Sequence, residues 1–515
     1  MSAKINFISI LSNNNEVRID EAPIGTPAFF TDLNLDQIIG AVTAGHEANQ
    51  LLPIFSTPLR TSDAIRYRQE VFRDLEDETL VESIGTFVGR MSEHRRCMGL
   101  WERASQRQHA AGWFLEAVKI YCHAVSTLRD DLQRRQIASR GLTAFRLYLG
   151  EYEASHTFTK LREDTERTAA ALARAKYCLL IRDNSITVRR YEGEEDYAAE
   201  VEAVFARFKQ GAAKDYRVAI PDRLEMNHVE EKILSLIARL YPDEFTLLDD
   251  YCLRNRNYLD RTLDDFTREV QFYLAYLRYL LPLKRAGRQF CYPRVDPQNK
   301  EVFNYEGFDL ALAHKLLAEN TPLVCNDFQL RDPERIIVVT GPNQGGKTTF
   351  ARTFGQLHYL AALGCPVPGR EAQLLLCDRI FTHFEKQENI NDLRGKLQDD
   401  LIRIRQILAE ATAASIIILN EIFTSTTLQD ALFLGRQILG KISRKDLLCI
   451  CVTFLDELSA FDEKTVSMAS TVDPENPTRR TYRVIRKAAD GLSYALSLAE
   501  KHGLTYDGLK ERLRP

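Results

Sequence analysis

The chain has 515 residues, enough for about two to four domains, with 45% hydrophobic and 27% charged residues, the balance of a soluble protein. A formal net charge of −4 excludes a globally basic nucleic-acid binder and leaves room only for local basic patches. Ten cysteines without a CxxC pair exclude a zinc-finger pattern and point to reduced thiols in a cytoplasmic protein. The N-terminal run "INFISIL" is too short and poorly flanked for a signal peptide. Arg278 and Pro282 interrupt "FYLAYLRYLLPL", so no membrane span is expected.

Residues up to about Asn320 read as largely helical. The expected division is a first helical part over 1–150, long arms with a β tip over 151–215, and a second helical part over 216–320. In "FTKLREDTERTAAALARAKY", Phe158, Leu161, Thr165, Thr168 and Leu172 form one apolar seam with charges opposite, the mark of a long helix. "YCLLIRDNSITVRRY" has two β-rich runs around Asp183-Asn184 and predicts a hairpin. Tyr197, Val201, Val204, Phe205 and Phe208 then recur at helical spacing, predicting a second arm. "EEKILSLIARLY" and "FTREVQFYLAYLRYLL" predict further helices.

The character changes near Arg331, and residues 321–515 read as one α/β domain. "RIIVVTG" is a buried strand opening on a glycine-rich loop. After it come helix "TTFARTFGQLHYLAAL", apolar run "AQLLLCDRIFT", helix "LQDDLIRIRQILAEAT", strand "SIIIL", helix "LQDALFLGRQILGKI" and strand "DLLCICVTF". That alternation implies a mainly parallel sheet. "DPENPT" predicts a late hairpin between "STV" and "RRTYRVIRK".

"GPNQGGKT", Gly341 to Thr348, satisfies GxxxxGK[ST] between a strand and a helix. In such a loop Gly341, Pro342, Asn343, Gln344, Gly345 and Gly346 turn backbone N–H groups into a concave anion site. The helix that follows, beginning with Thr348 and Thr349, points its positive end at the phosphates. Lys347 is expected as an exposed anion ligand for the β- and γ-phosphates, and Thr348 as a hydroxyl for Mg²⁺. ATP or GTP binding follows; no Asn-Lys-x-Asp guanine reader comes after the loop, which disfavours GTP.

"SIIILNE" ends a buried strand in Asn420-Glu421. A strand beside the phosphate loop is expected to end in a metal-holding acid, followed by a glutamate that orients or deprotonates water. Glu421 fits the second role. Asn420 stands in the metal position without a charge.

Taken together these residues resemble the MutS family of DNA mismatch-repair ATPases. "TGPNQGGKTTF", "AALGCPVPGREAQLLLCDRIFTHF", "SIIILNEIFTSTTLQDALFLG", "CVTFLDEL" and "GLSYALSLAEKHGL" follow that family's motif order over about Pro322–Leu504. The helical region, with "DLNLDQII" and "TPLRTSDAIRYRQEVFRDL", is similar to its lever and clamp. The resemblance implies an ABC-type ATPase head that pairs with a second head as a homodimer, with helical arms enclosing DNA. It implies that Asn343 touches the γ-phosphate and attacking water, that Glu421 is hydrolytic, and that Asp430 lies in a loop crossing the dimer interface. It implies that Leu323 packs against the adenine.

The departures are as specific. Asn420 replaces the metal-associated Asp. Charged hydrogen bonds contribute about 1.5–3 kcal/mol and neutral ones about 0.5–1.5, and a loss of about 1.4 kcal/mol slows a step tenfold. Slow hydrolysis is therefore expected. Phe454 replaces a switch His, removing a γ-phosphate contact. Gly395-Lys396 replaces the Ser-Thr of the trans-acting signature; Lys396 either reaches the partner's γ-phosphate or is a solvated helix-start lysine. The family's Phe-x-Glu mismatch reader is not visible, because "FLE" at Phe114–Glu116 lies inside a helix-like run. The end "GLTYDGLKERLRP" is expected to leave no room for a large accessory domain.

Arg182, Arg189 and Arg190 lie on the hairpin, the family's clamping position, as candidate phosphate contacts; the alternative is exposed charge balanced by Glu192, Glu194 and Glu195. His383 and Glu385 fall close to the nucleotide site and read as structural. No metal other than Mg²⁺ is expected. Two functions remain open: an ATP-dependent DNA clamp with slow hydrolysis, and a nucleotide-gated scaffold for a protein or ribosomal partner.

Overall fold

The computed structural model describes residues 7–13, 27–46, 49–183, 185–193, 226–385, 395–473, 475–476 and 479–489. The expected second arm around Tyr197–Phe208 and the closing segment 491–504 lie outside the described residues. The chain forms two compact units. One comprises Met1–Phe7, Asp77–Ile137 and Thr143–Thr267; the other comprises Ile8–Glu76, Ala138–Leu142 and Arg268–Pro515.

The first unit is helical. Helices Glu78–Arg103 and Arg107–Arg134 bury Leu80, Ile84, Phe87 and Met91 on one, and Phe114, Val118, Tyr121 and Val125 on the other. The first opens on Asp77, whose carboxylate accepts from Thr79 and Leu80 N–H, satisfying donors that a helix start leaves orphaned. "FLE" lies within the second of these helices with Phe114 fully buried, a core residue. Helix His156–Ala173 is capped by Ser155 and buries Phe158, Leu161, Thr165 and Thr168 of the expected seam, while Leu172 is only half-buried. Strands β1 (Tyr177–Arg182) and β2 (Ser185–Arg190) then pair antiparallel, with Arg182 opposite Ser185. Asp183, which follows β1, has the positive φ of 49° that a tight hairpin turn needs.

The second unit holds twelve strands among its described residues. They are β3 (Phe290–Cys291), β4 (Arg294–Asp296), β5 (Val302–Gly307), β6 (Asn326–Leu330), β7 (Ile336–Thr340), β8 (Val367–Pro368), β9 (Glu371–Leu375), β10 (Ile380–His383), β11 (Ile416–Asn420), β12 (Leu448–Val452), β13 (Thr465–Val472) and β14 (Arg480–Arg486). The main sheet runs β10-β11-β12-β7-β13-β14, parallel except for the edge strand β14. A second sheet runs β4-β9-β5-β6, and β3 pairs with β8. β7, β11 and β12 are buried at every position, which is why they are unbroken apolar runs. Helices Lys396–Glu410 and Leu428–Lys445 pack Ile404, Ile407, Ile438, Leu439 and Ile442 into one core with Ile417, Leu419, Cys449 and Cys451. Gly355 of helix Lys347–Ala362 lies against Ile418, where an added Cβ would meet Ile418 Cδ1 at 2.8 Å. No helix among the described residues is long and apolar enough to cross a membrane.

Three expectations change. Residues 290–307 hold strands instead of helix, because short segments such as "RVD" find partners in β9 and β6 far along the chain. "AQLLLCDRIFT" is two strands in two different sheets. The break is at Asp378, whose carboxylate accepts from Thr412 and Ser415 at 2.7 Å each. And β11 does not lie beside the P-loop strand: β12 stands between β11 and β7.

One charge cluster ties this unit together. Asp446, at the end of helix Leu428–Lys445, pairs with Lys300 at 2.9 Å, Lys464 at 2.8 Å and Arg335 at 3.1 Å. Burial acts to raise its pKa, but hydrogen bonds from Lys464 and Lys300 and the Arg335 charge outweigh it and hold the carboxyl far below the usual range. A depressed carboxyl contributes stability above its unfolded pKa of about 4, lost as pH falls through the folded value. Breaking a buried pair costs about 3–5 kcal/mol, and because Asp446 is partly exposed about 2 kcal/mol is expected. Asp446→Asn should therefore lower stability at pH 7, with the gap to wild type closing below about pH 4. Equal urea midpoints for the two proteins at pH 7 would contradict this.

Candidate nucleotide site

The buried strand β7 ends at Thr340, and the loop that follows turns on residues with positive φ: Gly341 at 110°, Gln344 at 58° and Gly346 at 91°. Gly346 caps helix Lys347–Ala362 from the left-handed region. The loop is confined from behind by Ser470 on β13. A Cβ at Gly341 would meet Ser470 Oγ at 2.6 Å and its carbonyl oxygen at 2.8 Å; a Cβ at Gly345 would meet Ser470 Oγ at 2.5 Å. The glycines are therefore required by close approach as well as by conformation. Arg480 of β14 donates from Nε to the Asn343 carbonyl at 3.1 Å.

Lys347 corrects the expectation of an exposed ligand: it is only 4% exposed. Its ammonium donates to the carbonyls of Gly341 (2.8 Å) and Pro342 (3.0 Å), folding back over its own loop. The ammonium also sits 4.5 Å from the centroid of the Phe454 ring, a cation–π contact. Burial lowers its pKa, and the Glu421 charge opposes that shift. A lysine held by carbonyls and a ring face has exchangeable partners, since an anion entering the cradle is a stronger acceptor than a neutral carbonyl.

At the end of β11, Asn420 and Glu421 diverge. The Thr348 hydroxyl donates to Asn420 Oδ1 at 2.9 Å, so the two residues expected at the metal meet each other. Both are hard neutral oxygens of the type Mg²⁺ accepts, and Mg²⁺ keeps several waters in such sites. The residues fit the ion, and the neighbouring Glu421 brings a carboxylate to the site. Glu421 has φ of 54° and its N–H donates to the Val452 carbonyl at 2.9 Å, fixing the turn. Burial raises its pKa; Lys347 lowers it and Glu385 raises it further. A non-glycine residue held in the left-handed region is the kind of local strain found at working sites.

Leu323 lies away from the loop's floor, on the wall of a groove of about 740 Å³ that also includes Tyr305, Phe328, Met468 and Val484. This groove is linked to the phosphate loop by Tyr482: an added Cβ on Gly346 would lie 3.5 Å from the Tyr482 carbonyl, and that carbonyl also accepts from Asn326 Nδ2 at 3.1 Å. Thr349 lies in the first turn of helix Lys347–Ala362, half-buried.

Comparison with known proteins bears on this arrangement. Residues 337–510 match the family model described as MutS domain V. The DNA mismatch repair protein MutS of Syntrophomonas wolfei is 29% identical over 287 residues, covering 54% of this chain and 32% of that protein. That of Thermosipho melanesiensis is 26% identical over 297 residues, 56% of this chain and 35% of its own length. The Orientia tsutsugamushi (strain Boryong) protein is 29% identical over 224 residues, 42% and 25% of the two chains. Residues 337–510 thus carry a MutS domain V. The matches span about a third or less of the length of these relatives.

The other residues singled out by the MutS resemblance are dispersed. Asp430 is exposed in the first turn of helix Leu428–Lys445, where its N–H and carboxylate both bond the Thr427 hydroxyl. Lys396 starts the preceding helix and pairs with Glu385, which also accepts from Thr424 at 3.2 Å. Glu385, read as structural, thus joins the end of β10 to the turn after β11. His383 is buried beside Asp400 at 3.2 Å. The three hairpin arginines do not share a face. Cross-strand partners lie on one face and alternate along the strand, so Arg182 and Arg189 share a face and Arg190 points to the other. Arg190 donates to the Leu240 carbonyl at 3.2 Å and stacks 5.0 Å from the Tyr241 centroid.

Sequence reasoning missed Ser470 and Arg480 as parts of this site. Each comes from a strand or loop with no local motif. Phe454 was marked only as the loss of a histidine; the structure gives its ring a role under Lys347.

Proposed function

We propose that this chain is a MutS-family ATP-binding protein that hydrolyses ATP slowly with Mg²⁺ and acts as a homodimeric clamp on DNA. The observation that carries it is the assembly of the Gly341–Thr348 cradle, the Thr348–Asn420 oxygen pair and Glu421 at the ends of β7 and β11. Asn343 and the loop N–H groups would hold the phosphates, Leu323 the base, and Glu421 would accept a proton from water. The bound Mg²⁺ would offset phosphate charge. Since Asn420 brings a dipole and no charge, turnover is slow.

Dimerisation through the nucleotide is supported by Asp430 lying exposed between Leu428 and Phe433, which are 65% and 63% exposed. Exposed bulky apolar side chains flanking a charged helix start are the composition of an interface rim. A non-hydrolysable ATP analogue should strengthen association and Asp430→Ala should weaken it. Sedimentation velocity showing a monomer at every concentration, with and without nucleotide, would reject the clamp. A scaffold that binds ATP and barely hydrolyses it is the second reading, favoured by the direct Thr348–Asn420 bond. DNA contact is assigned to Arg182, Arg189 and Arg190, with Arg182 and Arg189 on one face of the hairpin.

A further inference from the structure

We propose that the outer groove between helices Lys396–Glu410 and Leu428–Lys445 binds a nucleic-acid phosphate backbone, a second contact surface distinct from the hairpin. The inner faces of both helices are spent on the core under the main sheet. Their outer faces meet in a groove of about 410 Å³ lined by Arg405, Leu408, Ala409, Lys441, Arg444 and Lys445. Four of the six lining side chains are cationic and none is acidic. The spacing is i, i+3, i+4 on both helices, so each contributes one continuous face.

Several other cations of this unit are paired. Arg379 takes Glu410, Arg486 takes Glu334, Arg403 takes Asp32, Lys396 takes Glu385, and Asp446 gathers three more. Among the described residues, Arg405, Lys441 and Arg444 have no ion-pair partner. Basic residues in a last helical turn do complement the helix dipole, which accounts for Lys445, whose ammonium also donates to the Ala411 carbonyl at 2.9 Å. It does not account for Arg405, further from its helix end, or for Lys441, one turn back.

Like charges gathered in one groove repel, and an anion with several spaced charges relieves that repulsion. Guanidinium groups pair phosphate oxygens in bidentate fashion. The floor, Leu408 and Ala409, is small and apolar, and the lining has no amide or aromatic group to read base edges or stack on bases. Binding is therefore electrostatic and blind to sequence. The choice of nucleic acid as the phosphate source rests on the DNA reading above.

The test uses the full chain with Arg405→Glu, Lys441→Glu and Arg444→Glu combined, beside the neutral Arg405→Gln/Lys441→Gln variant in case charge reversal impairs folding. Fluorescence anisotropy of a labelled 30-base-pair duplex is followed across a salt series, with ATP binding as the control for an intact fold. Affinity at low salt should fall at least about tenfold, and the slope of log K against log salt should shrink by about 2–3 for three lost phosphate contacts. A wild-type protein that binds duplex while the groove variants match it in affinity and slope overturns the groove and leaves the clamp standing. A wild-type protein that binds no duplex overturns both. A poly-glutamate peptide that binds the groove more tightly than DNA overturns the choice of nucleic acid.

Discussion

Lys347→Ala is expected to weaken ATP binding by about 10- to 100-fold while leaving the fold intact. A charge-assisted hydrogen bond contributes about 1.5–3 kcal/mol, and each 1.4 kcal/mol is a factor of ten in affinity. The net loss is bounded because, without nucleotide, the ammonium already satisfies itself on the Gly341 and Pro342 carbonyls and the Phe454 ring. ATP binding exchanges those contacts instead of creating them from water. The same burial predicts the stability outcome. Truncation removes two hydrogen bonds but also removes a cation that burial disfavours, so the melting temperature should stay within about 4 °C of wild type. Isothermal titration giving the same dissociation constant for variant and wild type would remove the phosphate-loop assignment.

Glu421→Gln is expected to cut ATP turnover by about 10²–10⁴-fold, the range for losing a positioned general base. The pH behaviour has a defined sign. Glu421 is pushed above its ordinary value by burial, with Lys347 opposing and Glu385 adding to the rise. The ionised form does the work, so turnover should fall on acidification at a higher pH than an ordinary glutamate would give. The folded state also holds that proton more tightly than the unfolded chain, so ionising Glu421 costs stability above the folded pKa. Glu421→Gln should then raise the melting temperature of the nucleotide-free protein at neutral pH, with no gain below about pH 4. The reverse change, Asn420→Asp, should raise turnover about tenfold, as a charged oxygen exceeds a neutral one by about 1.4 kcal/mol. Unchanged turnover in Glu421→Gln would move the chain to the scaffold reading.

What was legible in the sequence was what is local. The phosphate loop is a contiguous string, and "SIIIL" and "LCICV" announce doubly covered strands by being apolar throughout. The hairpin at Tyr177–Arg190 follows from one Asp-Asn pair between β-rich runs. What was not legible depends on partners distant in the chain. β3 to β5 are short, and β4 and β5 carry Arg, Asp, Asn and Glu, so neither period stands out; pairing with β8, β9 and β6 makes them strands. The burial of Lys347 depends on Phe454, more than a hundred residues away. The division of the three arginines between two faces could be read only once the register was known.

Ser470 sets a limit that is easy to overlook. It reaches the phosphate loop from the far side, touching neither the expected phosphates nor the metal position, and its hydroxyl is buried without a partner among the described residues. The clearance between β13 and the loop is thus one hydroxymethyl group wide. A larger residue at this position would lift Gly341 and Gly345 toward the ligand and close the cradle from beneath. The capacity to hold a nucleotide is thereby exposed to genetic drift at a site outside every recognisable motif, and a chain could lose it while its glycine-rich signature remained intact.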